Sequence, residues 1–369
     1  MKLFKETSFI ILLFTTLIQT ACNKAQPIQF ASSDQNIVYA GRVEQLENEV
    51  VLIGSASSAT AWFEGDTCIV FLRNYNNNGL HNYYSIELDG EDLGRFRIEG
   101  EEMQAIKVNV TFKKDVHKIS VYKSTEASNG YINFGGIYCY KLLEPIDEYA
   151  YTIEFIGNSI TCGMGNDTLN IPCGDDQWYD QHNAYWAYGP TVSRALKVNF
   201  LLSSVSGIGI YRNWNDVGPT MPEVYENLYL DLNSNKKRDF SKYSPNIVSI
   251  ALGTNDFSDG DGVNERLPFN EEQFTQSYIS FVESILSHYP QTQITLLSSP
   301  MVSGEKNQTF LSCLNKVKTH FESIAAKPIV IFEFENIKPH GCDYHPDIND
   351  HMMMAEQLYP FYSNLLTIN

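Results

Sequence analysis

Tryptophan is scarce in this chain, with 4 residues in 369, although tyrosine (22) and phenylalanine (21) are plentiful. Positive charge is also short. The 26 Lys and Arg face 44 Asp and Glu, for a net charge of −18 at pH 7. A field of that sign repels phosphate backbones and anionic lipid headgroups, so nucleic acid is not an expected partner, whereas a neutral ligand carries no such penalty. Beyond residue 22 no apolar run reaches the roughly 18 residues that suggest a membrane-spanning helix. No CxxC pair occurs, which removes the usual ligand spacing of a structural zinc site. There is no internal repeat, and 43% hydrophobic with 19% charged residues is a globular composition rather than a disordered one. Against about 100–200 residues per domain, the length predicts two domains.

Residues 1–22 read MKLFKETSFIILLFTTLIQTAC. Lys2 and Lys5 precede an apolar core at 9–18 that is too short for the roughly 20 residues of a bilayer-crossing helix, so it reads as a signal peptide. Thr20 and Ala21 directly before Cys22 resemble a bacterial lipobox, with Gln19 where an aliphatic residue is usual. Cleavage there would leave Cys22 lipidated; an ordinary secretory signal with an incidental Cys is the alternative. The expected location is the bacterial periplasm, the outer membrane or the cell surface, with membrane contact only through Cys22. Export places Cys68, Cys139, Cys162, Cys173, Cys313 and Cys342 in an oxidising compartment. Of the pairings open to them, Cys162 with Cys173, flanking a short polar loop, is taken first.

The rest divides by rhythm. Residues 28–145 read as β, with β-branched and aromatic runs at 67–72 (TCIVFL), 83–88 (YYSIEL), 106–112 (IKVNVTF) and 116–123 (VHKISVYK). Turn clusters separate them: Asn76, Asn77, Asn78 and Gly79; Asp89 and Gly90; Lys113, Lys114 and Asp115. Short strands at this spacing predict a β-sandwich of jelly-roll type. Tyr83 and Tyr84 read either as a sugar platform or as buried sandwich aromatics. Residues 150–369 alternate instead between strands, at 151–156, 198–204, 246–252, 293–298 and 328–334, and helices, at 183–196, 271–288, 309–325 and 348–366. Near-continuous apolar strands between helices predict a three-layer α/β domain with a parallel sheet. Ligands then sit outside the carboxyl ends of the strands.

Those ends carry a pattern. Gly157, Asn158 and Ser159 follow the first strand, Ser204 to Gly209 (SVSGIG) the second, Gly253, Thr254, Asn255 and Asp256 the third. After the last come Asp343, Tyr344, His345 and Pro346, with Asp347 as the predicted N-cap of the final helix. Each is weak alone. A Ser, a Gly, an Asn and a His in that order supply a nucleophile, oxyanion donors and a base.

These four blocks resemble those of the SGNH hydrolases, the GDSL-like esterases and lipases, with Gly157, Asn158 and Ser159 standing where many members have Gly-Asp-Ser. More closely, a β-sandwich followed by this half resembles carbohydrate esterase family 2, on the strings GNSITCG (157–163), SGIGIYRN (206–213), DFSKYSPNIVSIALGTND (239–256) and DYHPDINDH (343–351). The resemblance implies removal of O-acetyl groups from plant polysaccharides such as xylan or glucomannan, with no metal and no cofactor. It implies Ser159 as nucleophile and His345 as base. The N–H groups of Ser159 and Gly207 and the side-chain amide of Asn255 form the implied oxyanion hole, with Gly209 the competitor of Gly207. Most SGNH hydrolases place an Asp three residues before the His, where this chain has Cys342. Asp343, two before it, is the expected orienting acid, with a backbone carbonyl and a Ser–His dyad as the alternative.

Trp178, Tyr211 and Trp214 lie in loops after strand ends and are the candidate sugar-stacking residues; Tyr179 shares that setting, and packing against the sandwich is the other reading. Asp231, Asn233, Asn235 and Asp239 imitate a calcium loop, but Lys236 and Lys242 stand where such a loop needs Gly and Glu. The expectation is an exported, monomeric carbohydrate O-acetylesterase acting on acetylated polysaccharide or oligosaccharide. The rivals are an inactive glycan-binding lipoprotein and an SGNH esterase acting on other esters.

Overall fold

Buried and half-buried residues alternate along Thr67–Tyr75, which is what a strand with one face on a core produces. The computed structural model describes residues 26–75, 79–110, 114–146, 149–174, 177–215 and 217–367. The proposed leader at 1–22 and the turn residues Asn76, Asn77, Asn78 and Lys113 lie outside them. Thr67–Tyr75 belongs to an antiparallel sheet with Val43–Gln45, Val50–Leu52, Tyr131–Cys139, Gln104–Asn109 and Ile28–Ala31. A second antiparallel sheet joins Lys141–Leu143, Ser58–Glu64, His117–Lys123, Asn82–Leu88, Glu91–Ile98 and Ile37–Ala40. Leu52, Phe63, Leu72, Leu88, Ile132 and Ile137 fill the space between them, as the β-sandwich reading requires. Tyr83 and Tyr84 are both buried, so neither is a surface platform.

The second half is a parallel sheet in the order Asn199–Ser204, Thr152–Gly157, Ile247–Ala251, Gln293–Leu297, Val330–Phe332. Successive residues of its inner strands face opposite sides, and each side has its own core. Ile153 and Phe155 pack under the helices Tyr188–Leu196 and Ile348–Leu366, whereas Ile156, Val248 and Ile250 pack under Glu271–His288 and Gly304–Phe321. The helix Glu271–His288 has the bounds that its apolar periodicity predicts. Gly304–Phe321 begins five residues earlier than the expected 309, since Ser303 and Gly304 open it ahead of the first buried position at Phe310.

The two domains are joined by buried polar contacts as well as apolar ones. Arg42 of the sandwich is fully buried and donates to Asn227 O (2.6 Å), Tyr225 O (2.8 Å) and Ser203 Oγ (3.1 Å). Ser203 in turn donates to Glu154, which also pairs with Arg238. Loss of one partner from a buried ion network typically costs about 3–5 kcal/mol, so each of these groups depends on the others being in place. Nearer the strand ends, Arg95 bonds Asp167 (3.1 Å), His81 bonds Asp180, and the Tyr179 hydroxyl donates to His81 O (3.0 Å). The sandwich therefore holds the loop that follows the first strand. It also explains the burial of Tyr179, which has no face left for a ligand.

Candidate active site

Gly157 ends the first strand where a Cβ would stand 2.0 Å from Thr161 Oγ1, so only glycine admits the tight turn into the one-turn helix Ser159–Cys162. Asn158 caps that helix by accepting the Ile160 N–H at 3.1 Å. The turn presents Ser159, 4% exposed, at the carboxyl edge of the sheet. His345 arrives from the other end of the chain. Its Nε2 lies 2.7 Å from Ser159 Oγ and its Nδ1 lies 2.9 Å from the main-chain oxygen of Asp343.

A carbonyl oxygen only accepts, so Nδ1 carries the hydrogen and Nε2 keeps the lone pair that takes the serine proton. The expected role of the Asp343 carboxylate is thereby corrected: the carbonyl orients the ring, and the exposed side chain does not. The physical reason is local backbone geometry. Asp343 and Tyr344 both adopt left-handed φ (51° and 62°), which folds the Asp343 carbonyl back over the imidazole. Such conformations cost free energy in non-glycine residues and persist where surroundings enforce them. Here Cys342 N–H donates to Gly165 O (2.9 Å), Gly341 N–H to His345 O (2.7 Å), and Cys342 is disulfide-bonded to Cys173. The expected Cys162–Cys173 pair does not form. Cys162 is a buried thiol beside Glu126, and the loop carries Cys173 to the histidine turn instead.

The oxyanion candidates converge on the same edge. Gly207 has φ 77°, and its carbonyl receives the Trp214 N–H at 2.8 Å; its own N–H makes no bond among the described residues. The N–H of its competitor Gly209 is spent on Asn213 Oδ1 (3.0 Å), and a Cβ there would meet Arg212 O at 1.9 Å. Gly209 is therefore structural. Asn255 donates one amide hydrogen to Ile208 O (2.7 Å), which aims the rest of that amide at the cleft. The buried Asp256 carboxylate holds the same loop by accepting from Ile210, Tyr211 and Arg212 N–H groups.

A cleft of about 930 Å³ opens over Ser159, Gly207, Asn255 and His345. Trp178 and Trp214, 48% and 46% exposed, line it, as does Tyr344 at 87%. Tyr211 does not. Its ring packs on Phe269 and Phe274, and its hydroxyl accepts from Asn270 N–H, so it is removed from the sugar-stacking candidates. Tyr344 was legible as the aromatic neighbour of the histidine, but the DYHP string drew attention only to its Asp and His. For a cation, one group among the described residues has three donors close together: His340, Asp347 and Asp350. Asp350 already accepts the His340 and Asp347 N–H groups and faces His340 Nδ1, so the cluster serves as the cap of the last helix.

Nucleophile, base and three donors are the equipment for acyl transfer through a tetrahedral intermediate. Burial lowers the pKa of His345, the Asp343 carbonyl opposes that shift, and His182 adds to it. Protonated His345 cannot take the serine proton, so activity falls as pH drops through that pKa. We expect the acid limb of the kcat/KM profile to have its midpoint below the 6.5 of an ordinary histidine. Asp343→Asn, which tolerates the left-handed backbone, should keep kcat within about threefold and, by removing a charge that raises the His345 pKa, move that limb to lower pH. A loss approaching the roughly 10⁴-fold seen when a true triad acid is neutralised would show that the carboxylate is needed.

Comparison with known proteins bears on both domains. Residues 39–145 match the family described as carbohydrate esterase 2 N-terminal, and residues 153–358 match the GDSL-like lipase/acylhydrolase family. The chain is 26% identical over 282 residues to an acetylxylan esterase/glucomannan deacetylase of Cellvibrio japonicus, covering 73% of this chain and 77% of that one. It is 28% identical over 339 residues to the cellulase/esterase CelE of Acetivibrio thermocellus, covering 89% of this chain and 39% of that longer protein. The solved structure of a family two carbohydrate esterase from Clostridium thermocellum, in complex with cellohexaose, has a TM-score of 0.79 at 27% identity, over 90% of this chain and 99% of that one. With both matches spanning its two domains in order, the chain belongs to carbohydrate esterase family 2 and is a carboxylic ester hydrolase.

Proposed function

We propose that this protein is an exported esterase that removes O-acetyl groups from plant polysaccharides of the xylan or glucomannan type, through an acetyl-enzyme on Ser159. The observation that carries the reading is the Ser159–His345 bond of 2.7 Å, with the far side of the imidazole on a carbonyl, at the floor of a cleft edged by exposed indoles. Ser159 Oγ attacks the acetyl carbonyl carbon and its proton passes to His345 Nε2. The tetrahedral oxyanion is held by the N–H groups of Ser159 and Gly207 and the amide of Asn255. On collapse, the C–O bond to the sugar breaks and His345 gives the proton to the departing hydroxyl. Water then repeats the sequence on the acetyl-enzyme, releasing acetate and restoring serine. A dyad suffices because the carbonyl holds the tautomer, although it brings less charge to the imidazolium than a carboxylate would.

Trp178, Trp214 and Tyr344 support a sugar chain as the leaving group, since exposed aromatic faces pack against the C–H faces of pyranose rings. The names of the Cellvibrio relative, an acetylxylan esterase and glucomannan deacetylase, support the acetyl group and the glycan class. Met164, Phe257, Met301 and Val302 also line the cleft, and this apolar wall favours a second reading in which less polar acyl groups are accepted. The test is acetate release from acetylated xylan and glucomannan, with 4-nitrophenyl acetate and octanoate beside them. We expect release by the wild type and a loss of about 10⁴-fold or more in Ser159→Ala. Octanoate turned over faster than the glycans would favour the second reading, and no acetate from any ester would overturn both.

The Cys173–Cys342 bond supports export, because disulfides persist in oxidising compartments. We infer that Cys22 carries the anchor and that the protein is otherwise monomeric. Labelled palmitate should enter the wild type expressed in a bacterium with lipoprotein processing, and Cys22→Ala should abolish it; equal labelling of both proteins would contradict the anchor.

A further inference from the structure

The sandwich domain sends one charged side chain under the site. Glu126 follows the strand His117–Lys123 and is fully buried. Its Oε2 accepts the Ser206 N–H at 2.6 Å and the Cys162 thiol at 3.2 Å. Cys162 closes the one-turn helix that begins with Ser159, and Ser206 immediately precedes Gly207. A single carboxylate oxygen thus ties the nucleophile's helix to the loop that carries the backbone oxyanion donor.

The acceptor is itself held firmly. Lys123 Nζ, also fully buried, donates to Thr125 O (3.0 Å), Thr125 Oγ1 (2.9 Å) and Glu126 O (2.6 Å). Ser124 O accepts the Ala184 N–H at 2.9 Å, which locks residues 123–126 against the loop beneath Trp178. Burial would raise the Glu126 carboxyl, but the His182 ring beside it and the Ser206 N–H outweigh that and hold it below the ordinary carboxylate range. It is an anion at neutral pH, and charge-assisted hydrogen bonds are about twice as strong as neutral ones.

Gly207 needs such support. It sits at φ 77° and a Cβ there would meet only Trp214 Cβ, at 4.0 Å, so its peptide is steered by its neighbours rather than by packing of its own. The Trp214 N–H fixes the loop after Gly207 and the Glu126 carboxylate fixes it before. We propose that Glu126 is a positioning residue for the hydrolase site, an element of the oxyanion hole lent by the N-terminal domain. The proposal rests on the acyl-enzyme reading above. A negative charge beneath an oxyanion has no electrostatic benefit of its own, so the contribution is geometric: it keeps the Gly207 N–H aimed at an oxygen that exists only in the tetrahedral state.

The test compares Glu126→Ala, Glu126→Asp and Glu126→Gln with wild type on 4-nitrophenyl acetate, together with the affinity of phenylboronic acid, whose tetrahedral serine adduct places an oxygen in the hole. Loss of one oxyanion donor typically costs about 10²–10³ in turnover. We expect kcat to fall about a hundredfold in the alanine protein with KM within twofold, and boronate affinity to fall in step. Glu126→Asp withdraws the acceptor by one methylene and should behave in the same way; it serves as the test where the alanine protein does not fold. Glu126→Gln keeps an acceptor in place and should restore kcat to within about threefold of wild type. A folded alanine or aspartate protein with kcat within twofold of wild type overturns the proposal, as does a glutamine protein as impaired as the alanine one. Ser159→Ala in the same assay reads the underlying chemistry separately: wild-type turnover that survives that change defeats the acyl-enzyme reading itself.

Discussion

The hydrogen bond between His345 Nδ1 and the Asp343 carbonyl survives only while two consecutive non-glycine residues are kept in left-handed conformations, and much of the surrounding structure is arranged to keep them there. The Cys173–Cys342 bond, the Gly165–Cys342 main-chain bond and the Asp347 cap of the last helix enclose the turn from both sides. With the ring so held, its tautomer is determined by chemistry alone, because a carbonyl offers no proton. The availability of Nε2 for the serine hydroxyl follows from that one contact.

The sandwich and the hydrolase half form one working unit. Arg42 grips the sheet from below, Arg95 and His81 hold the loop beneath Trp178, and Glu126 reaches the oxyanion loop. These side chains are buried and charged or polar, so separating the domains would expose unpaired groups on both sides. The first domain therefore shapes the catalytic centre directly, whatever it contributes to glycan binding. The −18 net charge stands outside this arrangement and bears on partners rather than on chemistry.

Much of this was legible in the order of residues. Apolar periodicity located the helix Glu271–His288 and the strands of the parallel sheet, and topology then made strand-end residues the place to look. Ser159, Gly207, Asn255 and His345 meet at one edge for that reason. What was not legible depended on backbone angles and on contacts between distant segments. Nothing in a Cys-Asp-Tyr-His string reports positive φ at Asp343 and Tyr344, so its carboxylate looked like the natural acid. Short loop length suggested Cys162 as the partner of Cys173, but the helix that bears Ser159 buries that thiol against Glu126. Tyr211 looked like a cleft aromatic because its position after a strand end says nothing of which way the ring turns. Glu126 lies in a segment that reads only as the end of a sandwich strand, and its role comes entirely from the packing of one domain on the other.

The most direct measurement is a crystal structure of the enzyme with a tetrahedral phosphonate fixed to Ser159. The account predicts that one phosphonyl oxygen lies within hydrogen-bonding reach of the Ser159 and Gly207 N–H groups and the Asn255 amide, while His345 Nδ1 stays on the Asp343 carbonyl. A histidine that has turned to the Asp343 carboxylate, or an adduct oxygen directed away from Gly207, would contradict it.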